Sequence, residues 1–121
     1  MYVCCFCLMQ LDDDVFLHVH NIYKIKAWVD ENCITGYVYK NVKPIRWAHS
    51  KDPEELYKWI CPKWMYPQET YPDYTAGPAY VIPTKHVECL YRMALKSSTK
   101  FYMEDIYLTG MLREKCEIQL K

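Results

Sequence analysis

The order of apolar runs along this 121-residue chain predicts an α/β fold. Three observations carry that prediction. An apolar stretch at residues 3–11 stops at the acidic triplet Asp12-Asp13-Asp14; a run of β-branched and aromatic residues follows at 34–40; and segments with helical apolar spacing lie between and after them.

The first stretch reads as a buried strand. It is too short to span a bilayer and carries no positive leader, so no targeting segment is expected within the chain itself. Residues 18–30 place Ile22, Ile25, Trp28 and Val29 at helical spacing, with Asn32 closing the helix. The strand ITGYVYK follows at 34–40. Asp52-Pro53-Glu54-Glu55 is a helix start, with Asp52 as cap, Pro53 in the first turn and Glu55 reaching back; Pro62 keeps this helix short. Residues 62–83, rich in proline and tyrosine and without periodicity, predict an ordered, aromatic-lined loop. Thr84 then caps a helix whose inward face holds Val87, Leu90, Tyr91 and Ala94, and a last helix runs over 104–115 with Ile106, Tyr107, Met111 and Leu112 inward.

Composition narrows the class. A hydrophobic fraction of 51%, an aromatic fraction of 16% and no low-complexity run predict one folded domain over residues 1–121. Fifteen basic and fifteen acidic residues cancel, without a basic stripe, so nucleic acid is not an expected partner. The seven cysteines show no recurring CxxC pair at zinc spacing and read as small buried hydrophobes with one or two disulfides.

Three constellations bear on chemistry. In LDDDVFL, three carboxylates end an apolar strand, where open α/β sheets gather ligands; hard divalent cations take such oxygens together with substrate phosphates. The same triplet also reads as a solvated acidic turn. Glu104-Asp105 at a helix start either complements the helix dipole or offers a general base. The tyrosines of residues 66–80, with Gly77 among them, suit sugar rings and suit a core plug under a long loop equally well. No GxSxG, GxGxxG or P-loop pattern is present.

In this order the segments LDDDVF (11–16), Lys43-Pro44-x-Arg46, Lys58-Trp59, YPQETYPDYTAGPAYVI (66–82) and MEDIYLTG (103–110) resemble the beta-1,3-galactosyltransferase family, which includes related N-acetylglucosaminyltransferases. The resemblance implies a partial GT-A glycosyltransferase fold, the C-terminal half of a catalytic domain lacking its N-terminal half. It also implies an inverting hexosyltransferase that moves galactose or N-acetylhexosamine from a UDP-sugar to an acceptor hydroxyl on a glycoprotein or glycolipid. In that scheme Asp14 binds Mn²⁺, with Asp12 and Asp13 beside it. Asp105, with Glu104 as neighbour, is the catalytic base. Tyr74, Gly77, Tyr80, Trp59 and Lys58 contact the sugars. Family members sit on the lumenal side of the Golgi membrane, so membrane association is expected through a segment absent from this chain. The competing expectations are a catalytically inactive remnant serving as a binding or partner subunit, and a small metal-binding module whose metal affinity does not depend on UDP.

Overall fold

The computed structural model describes residues 7–121. Its core is a four-stranded mixed sheet in the order β1-β3-β2-β4, built from β1 (Cys7–Leu11), β2 (Cys33–Tyr39), β3 (Tyr74–Pro83) and β4 (Gln119–Leu120). β3 runs antiparallel to both β1 and β2, and β4 lies parallel to β2 at the edge. The two strands expected from the apolar runs are therefore β1 and β2. Residues 3–6 of the first expectation, with Cys4 and Cys5, lie outside the described residues.

The second half of the expected proline-tyrosine loop is instead the longest strand of the sheet. Gly77-Pro78 argues against a central strand, because proline cannot donate to the ladder. The structure meets this with a bulge. Gly36 pairs with Tyr80 and Val38 with Thr75, so residues 76–79 of β3 stand opposite Tyr37 alone. No β2 carbonyl needs an N–H from Pro78 there, and the Pro78 carbonyl accepts from Asp12 N–H across the β1 side at 3.1 Å. Bulges turn a strand locally and re-aim its side chains. This one carries Ala76, Gly77 and Pro78 into a cleft.

Helices flank the sheet: α1 (Ile22–Trp28, entered through a 3₁₀ turn at Val19–Asn21), the single turn α2 (Glu54–Tyr57), α3 (Thr84–Lys96), a π-helical segment Ile106–Leu112 and α4 (Arg113–Lys115). Several local expectations are corrected. Asp52 does not cap α2; Pro53 holds the cap position, and the Asp52 carboxylate accepts from His49 N–H at 2.7 Å to close the preceding turn. Pro83, not Thr84, holds the cap position of α3. The apolar stripe of α3 is centred on buried Leu90 and continues through Val87, Met93 and Ala94. Tyr91 is rotated off it and is 62% exposed. The apolar face of α1 is largely uncovered, with Trp28 75% exposed. The extended backbone of Val29 ends that helix before Asn32, whose amide oxygen accepts instead from Lys85.

Two apolar clusters result. One lies between the sheet and α3 and holds Ile34, Tyr80, Ile82, Leu90, Leu112 and Ile118. The other lies beneath the loop at 61–72 and holds Cys61, Tyr71, Tyr74, Phe101, Met103 and Ile106. Tyr107 packs against both. Arg46 fastens the loop by donating to the carbonyls of Cys61 (2.8 Å), Tyr66 (2.7 Å) and Gln68, using the guanidinium fork in a way that a single ammonium does not match. A disulfide joins Cys89 on α3 to Cys116 after α4, with Cα atoms 6.1 Å apart. Among the described residues no helix is long and apolar enough to cross a membrane.

Candidate active site

The chain leaves β1 at Asp12. Its N–H is held by Pro78, and its carbonyl accepts from Val15 N–H at 3.1 Å, so Asp12, Asp13 and Asp14 form an exposed turn at the strand's carboxyl end. Beside that turn opens a cleft of about 580 Å³. Asp12 lines it from β1, Gly77 and Tyr74 from β3, Trp59 from the segment after α2, and Glu104 and Asp105 from the start of the last helical stretch. Residues 93 positions apart in sequence thus face one another because β3 pairs with β1 and its bulge reaches over Asp105. A Cβ added at Gly77 would stand 3.4 Å from Asp105 Oδ2, so glycine here leaves the carboxylate room.

The two acids differ in environment. Asp105 is half-buried, and burial pushes its carboxyl above the usual aspartate range, aided by the charge of Asp12. Main-chain N–H groups, including those of Ile106 (2.8 Å) and Gly77, favour the ionised form without cancelling that effect. Glu104 stands at the more open edge. Burial, Asp105 and Asp12 push its carboxyl up, in that order, and the Tyr80 hydroxyl donates to Oε1. A carboxylate whose pKa is raised and that lines a cleft belongs to the class of groups from which general bases are drawn. Tyr74, buried against Asp105 and Tyr39, has its phenol pushed up to about 12 and stays a neutral donor.

The main chain carrying these acids is tightly held. The Thr109 hydroxyl donates to the Asp105 carbonyl at 2.6 Å and accepts from Thr75 N–H of β3 at 2.9 Å. Arg113 donates to the carbonyls of Thr109, Ile118 and Asp73. Gly110 lets this stretch approach the loop, since a Cβ there would fall 2.9 Å from Pro72 Cγ. The winding from Ile106 to Leu112 is π-helical, a geometry frequent at functional sites.

The cleft therefore gathers Asp12, Glu104, Asp105, Tyr74, Gly77 and Trp59. Asp13 and Asp14 stay on the adjoining turn and are not part of its wall. Lys58 is exposed, with its ammonium 5.0 Å over the Trp59 ring. Tyr80 is 2% exposed; its ring belongs to the core and only its hydroxyl reaches the acids, so it is not a wall on which a sugar could stack. Sequence reasoning passed over Lys43 and Tyr102 as cleft residues and Thr109 as an anchor. Only the helical continuation from Asp105 could have pointed to Thr109. Among the described residues no three His, Cys, Asp or Glu side chains converge as a metal cage. A divalent ion shared with a diphosphate needs one or two protein carboxylates. The exposed turn at 12–14 supplies those, so the donor set fits a shared ion.

The Galactosyltransferase family matches residues 4–121. The chain is 31% identical over 107 residues to Lactosylceramide 1,3-N-acetyl-beta-D-glucosaminyltransferase A of Danio rerio, covering 84% of this chain and 26% of that protein. It is 30% identical over 117 residues to the Mus musculus lactosylceramide enzyme (92% and 28%), and 31% identical over 111 residues to Beta-1,3-galactosyltransferase 1 of Mus musculus (88% and 31%). The chain thus spans about a quarter to a third of the length of these relatives. Its mixed sheet with flanking helices is compatible with a glycosyltransferase fold. The chain belongs to the Galactosyltransferase family, among the beta-1,3-galactosyl- and N-acetylglucosaminyltransferases.

Proposed function

We infer that this chain carries the metal-binding turn and the catalytic base of an inverting beta-1,3-hexosyltransferase of GT-A type. The observation that supports this reading most is the meeting of Asp12, Glu104 and Asp105 in one cleft, with Asp105 the more enclosed carboxylate. The donor is a UDP-sugar carrying galactose or N-acetylhexosamine. The acceptor is a sugar hydroxyl on a glycoprotein or glycolipid, and the relatives named for lactosylceramide favour the glycolipid. Asp105 accepts the proton of the acceptor hydroxyl as its oxygen bonds to the anomeric carbon. The bond from that carbon to the diphosphate breaks on the opposite face, and UDP leaves with the electron pair. Mn²⁺ held by Asp14, with Asp12 and Asp13 alongside, would offset negative charge on the departing diphosphate. Trp59 and Tyr102 offer flat apolar faces for sugar rings. The expected setting is the lumenal face of the Golgi membrane. The Cys89–Cys116 disulfide suits such an oxidising compartment.

A second reading, a binding or partner subunit without turnover, is favoured by one feature. An apolar cleft of about 780 Å³, lined by Met9, Leu11, Tyr37, Val81, Ile25 and Trp28, lies open on the opposite face of the sheet. Calorimetric titration of UDP into the chain, with and without Mn²⁺ and beside Asp14→Asn, separates the readings when followed by a transfer assay. Metal-dependent binding lost in the variant, with transfer to a β-lactoside, supports the enzyme. Binding without transfer leaves the subunit, and no nucleotide binding by the folded chain leaves the transferase reading as ancestry rather than as an activity of this chain.

A further inference from the structure

Glu104 and Asp105 are neighbours in sequence but are held by different means. Asp105 is fixed through the main chain: its carboxylate takes N–H groups from Ile106 and Gly77, and its carbonyl takes the Thr109 hydroxyl. Glu104 has a side-chain partner, the hydroxyl of Tyr80, which lies 24 residues earlier on β3. The Tyr80 ring cannot swing away. It is 2% exposed among Ile34, Ile82, Leu90 and Leu112, and its backbone passes so close to β2 that a Cβ at Gly36 would sit 3.1 Å from Tyr80 Cβ. A ring so packed holds its hydroxyl at one point, and the carboxylate bonded to it is held as well. One Glu104 oxygen is thereby occupied by a donor, while the residue still lines the cleft beside Asp105.

We propose that Tyr80 is a positioning residue that fixes Glu104 as a stationary hydrogen-bond acceptor for a second hydroxyl of the acceptor sugar, leaving proton removal to Asp105. The proposal rests on the transferase reading above. It narrows the acceptor to sugars that present a second free hydroxyl near the one that reacts, because both carboxylates line the same cleft. A pinned carboxylate reads a neighbouring hydroxyl at less ordering cost than a mobile one, so orientation of the acceptor is what the tyrosine contributes.

Tyr80→Phe keeps the ring in its packing and removes only the hydroxyl, and two measurements on the whole chain test the idea. The first needs no turnover. The Tyr80 hydroxyl proton is expected as a slowly exchanging NMR resonance that is absent in Tyr80→Phe and moves upfield in Glu104→Gln, where a neutral amide replaces the charged acceptor. A wild-type chain without such a protected proton overturns the clamp, whatever the chain's activity. The second is transfer from UDP-N-acetylglucosamine to a β-lactoside. Tyr80→Phe is expected to raise the acceptor KM about tenfold with a smaller effect on kcat, the worth of one well-placed hydrogen bond. The same substitution should add no further loss in a Glu104→Gln background. Lactosides deoxygenated beside the reacting hydroxyl should lose discrimination between wild type and Tyr80→Phe. Equal losses in both backgrounds, or a loss confined to kcat, overturn the proposal while leaving the transferase reading intact. Absence of transfer by the wild type removes that reading and with it the acceptor role of Glu104, and the resonance alone then decides whether Tyr80 holds the carboxylate.

Discussion

Thr109 holds Asp105 by its carbonyl while being held by Thr75, so one buried hydroxyl ties the candidate base to the central strand. Thr109 is fully buried, and replacing it with valine would leave the Thr75 N–H without its acceptor. Thr109→Val should therefore lower stability by about 1–3 kcal/mol in urea unfolding, whereas Thr109→Ser, which keeps the hydroxyl, should cost less. An unchanged midpoint for the valine variant would show that the two hydrogen bonds carry no net stability.

Asp105→Asn removes the proton acceptor and leaves the turn at 12–14 untouched. Transfer should fall by about 10²–10⁴-fold while calorimetric UDP affinity holds. Because burial raises the Asp105 carboxyl above its ordinary 3.8, the acid limb of kcat/KM should lie above that value, with activity lost as pH falls through it. A pH profile flat through this region would remove Asp105 from the role.

Glu104 is predicted to cost stability for the sake of its place in the cleft. A carboxyl whose pKa rises on folding favours the folded state while protonated. That contribution is complete below its ordinary 4.5 and is lost as pH rises through the folded value. The neutral variant Glu104→Gln should therefore gain thermal stability on its parent above this window, and the gain should vanish in more acidic buffer. Parallel melting curves at two pH values suffice to check it. A constant difference between the two proteins would locate the effect in packing rather than in charge.

The Cys89–Cys116 bridge spans 27 residues and encloses both candidate acids and the π-helical segment. Loop-closure entropy for such a span is worth about 3–4 kcal/mol. The double variant Cys89→Ser, Cys116→Ser should unfold at correspondingly lower urea concentration, and a reductant should shift the parent toward it without affecting the variant. If the reductant moves both proteins equally, the shift comes from another source.

Much of this was legible from local pattern. The β-branched and aromatic residues Ile34, Tyr37, Val38 and Tyr39 marked β2, and Asp12 at the end of an apolar run marked the strand end that faces the cleft. The pair Glu104-Asp105 stood out as acids flanked by bulky apolar residues. What stayed hidden was non-local. Gly77-Pro78 disguised a central strand, because only its β2 neighbour reveals the bulge that excuses the proline. Tyr80 resembled a sugar platform until the core claimed its ring and left only the hydroxyl for Glu104. The uncovered face of α1 and the π-helical winding after Asp105 likewise depend on what packs against them, which spacing within a segment does not record.

The bulge in β3 also bears on how such a protein can change. Adding or deleting one residue in a regular strand turns every later side chain to the wrong face. At residues 76–79 the ladder to β2 is already out of step, so a change of length there can be absorbed before Tyr80 and the buried residues after it. Ala76, Gly77 and Pro78 of that segment form the lip of the cleft over Asp105. Drift in substrate preference therefore has a segment in which to occur by insertion and deletion as well as by substitution, while the core that folds the chain is inherited unchanged.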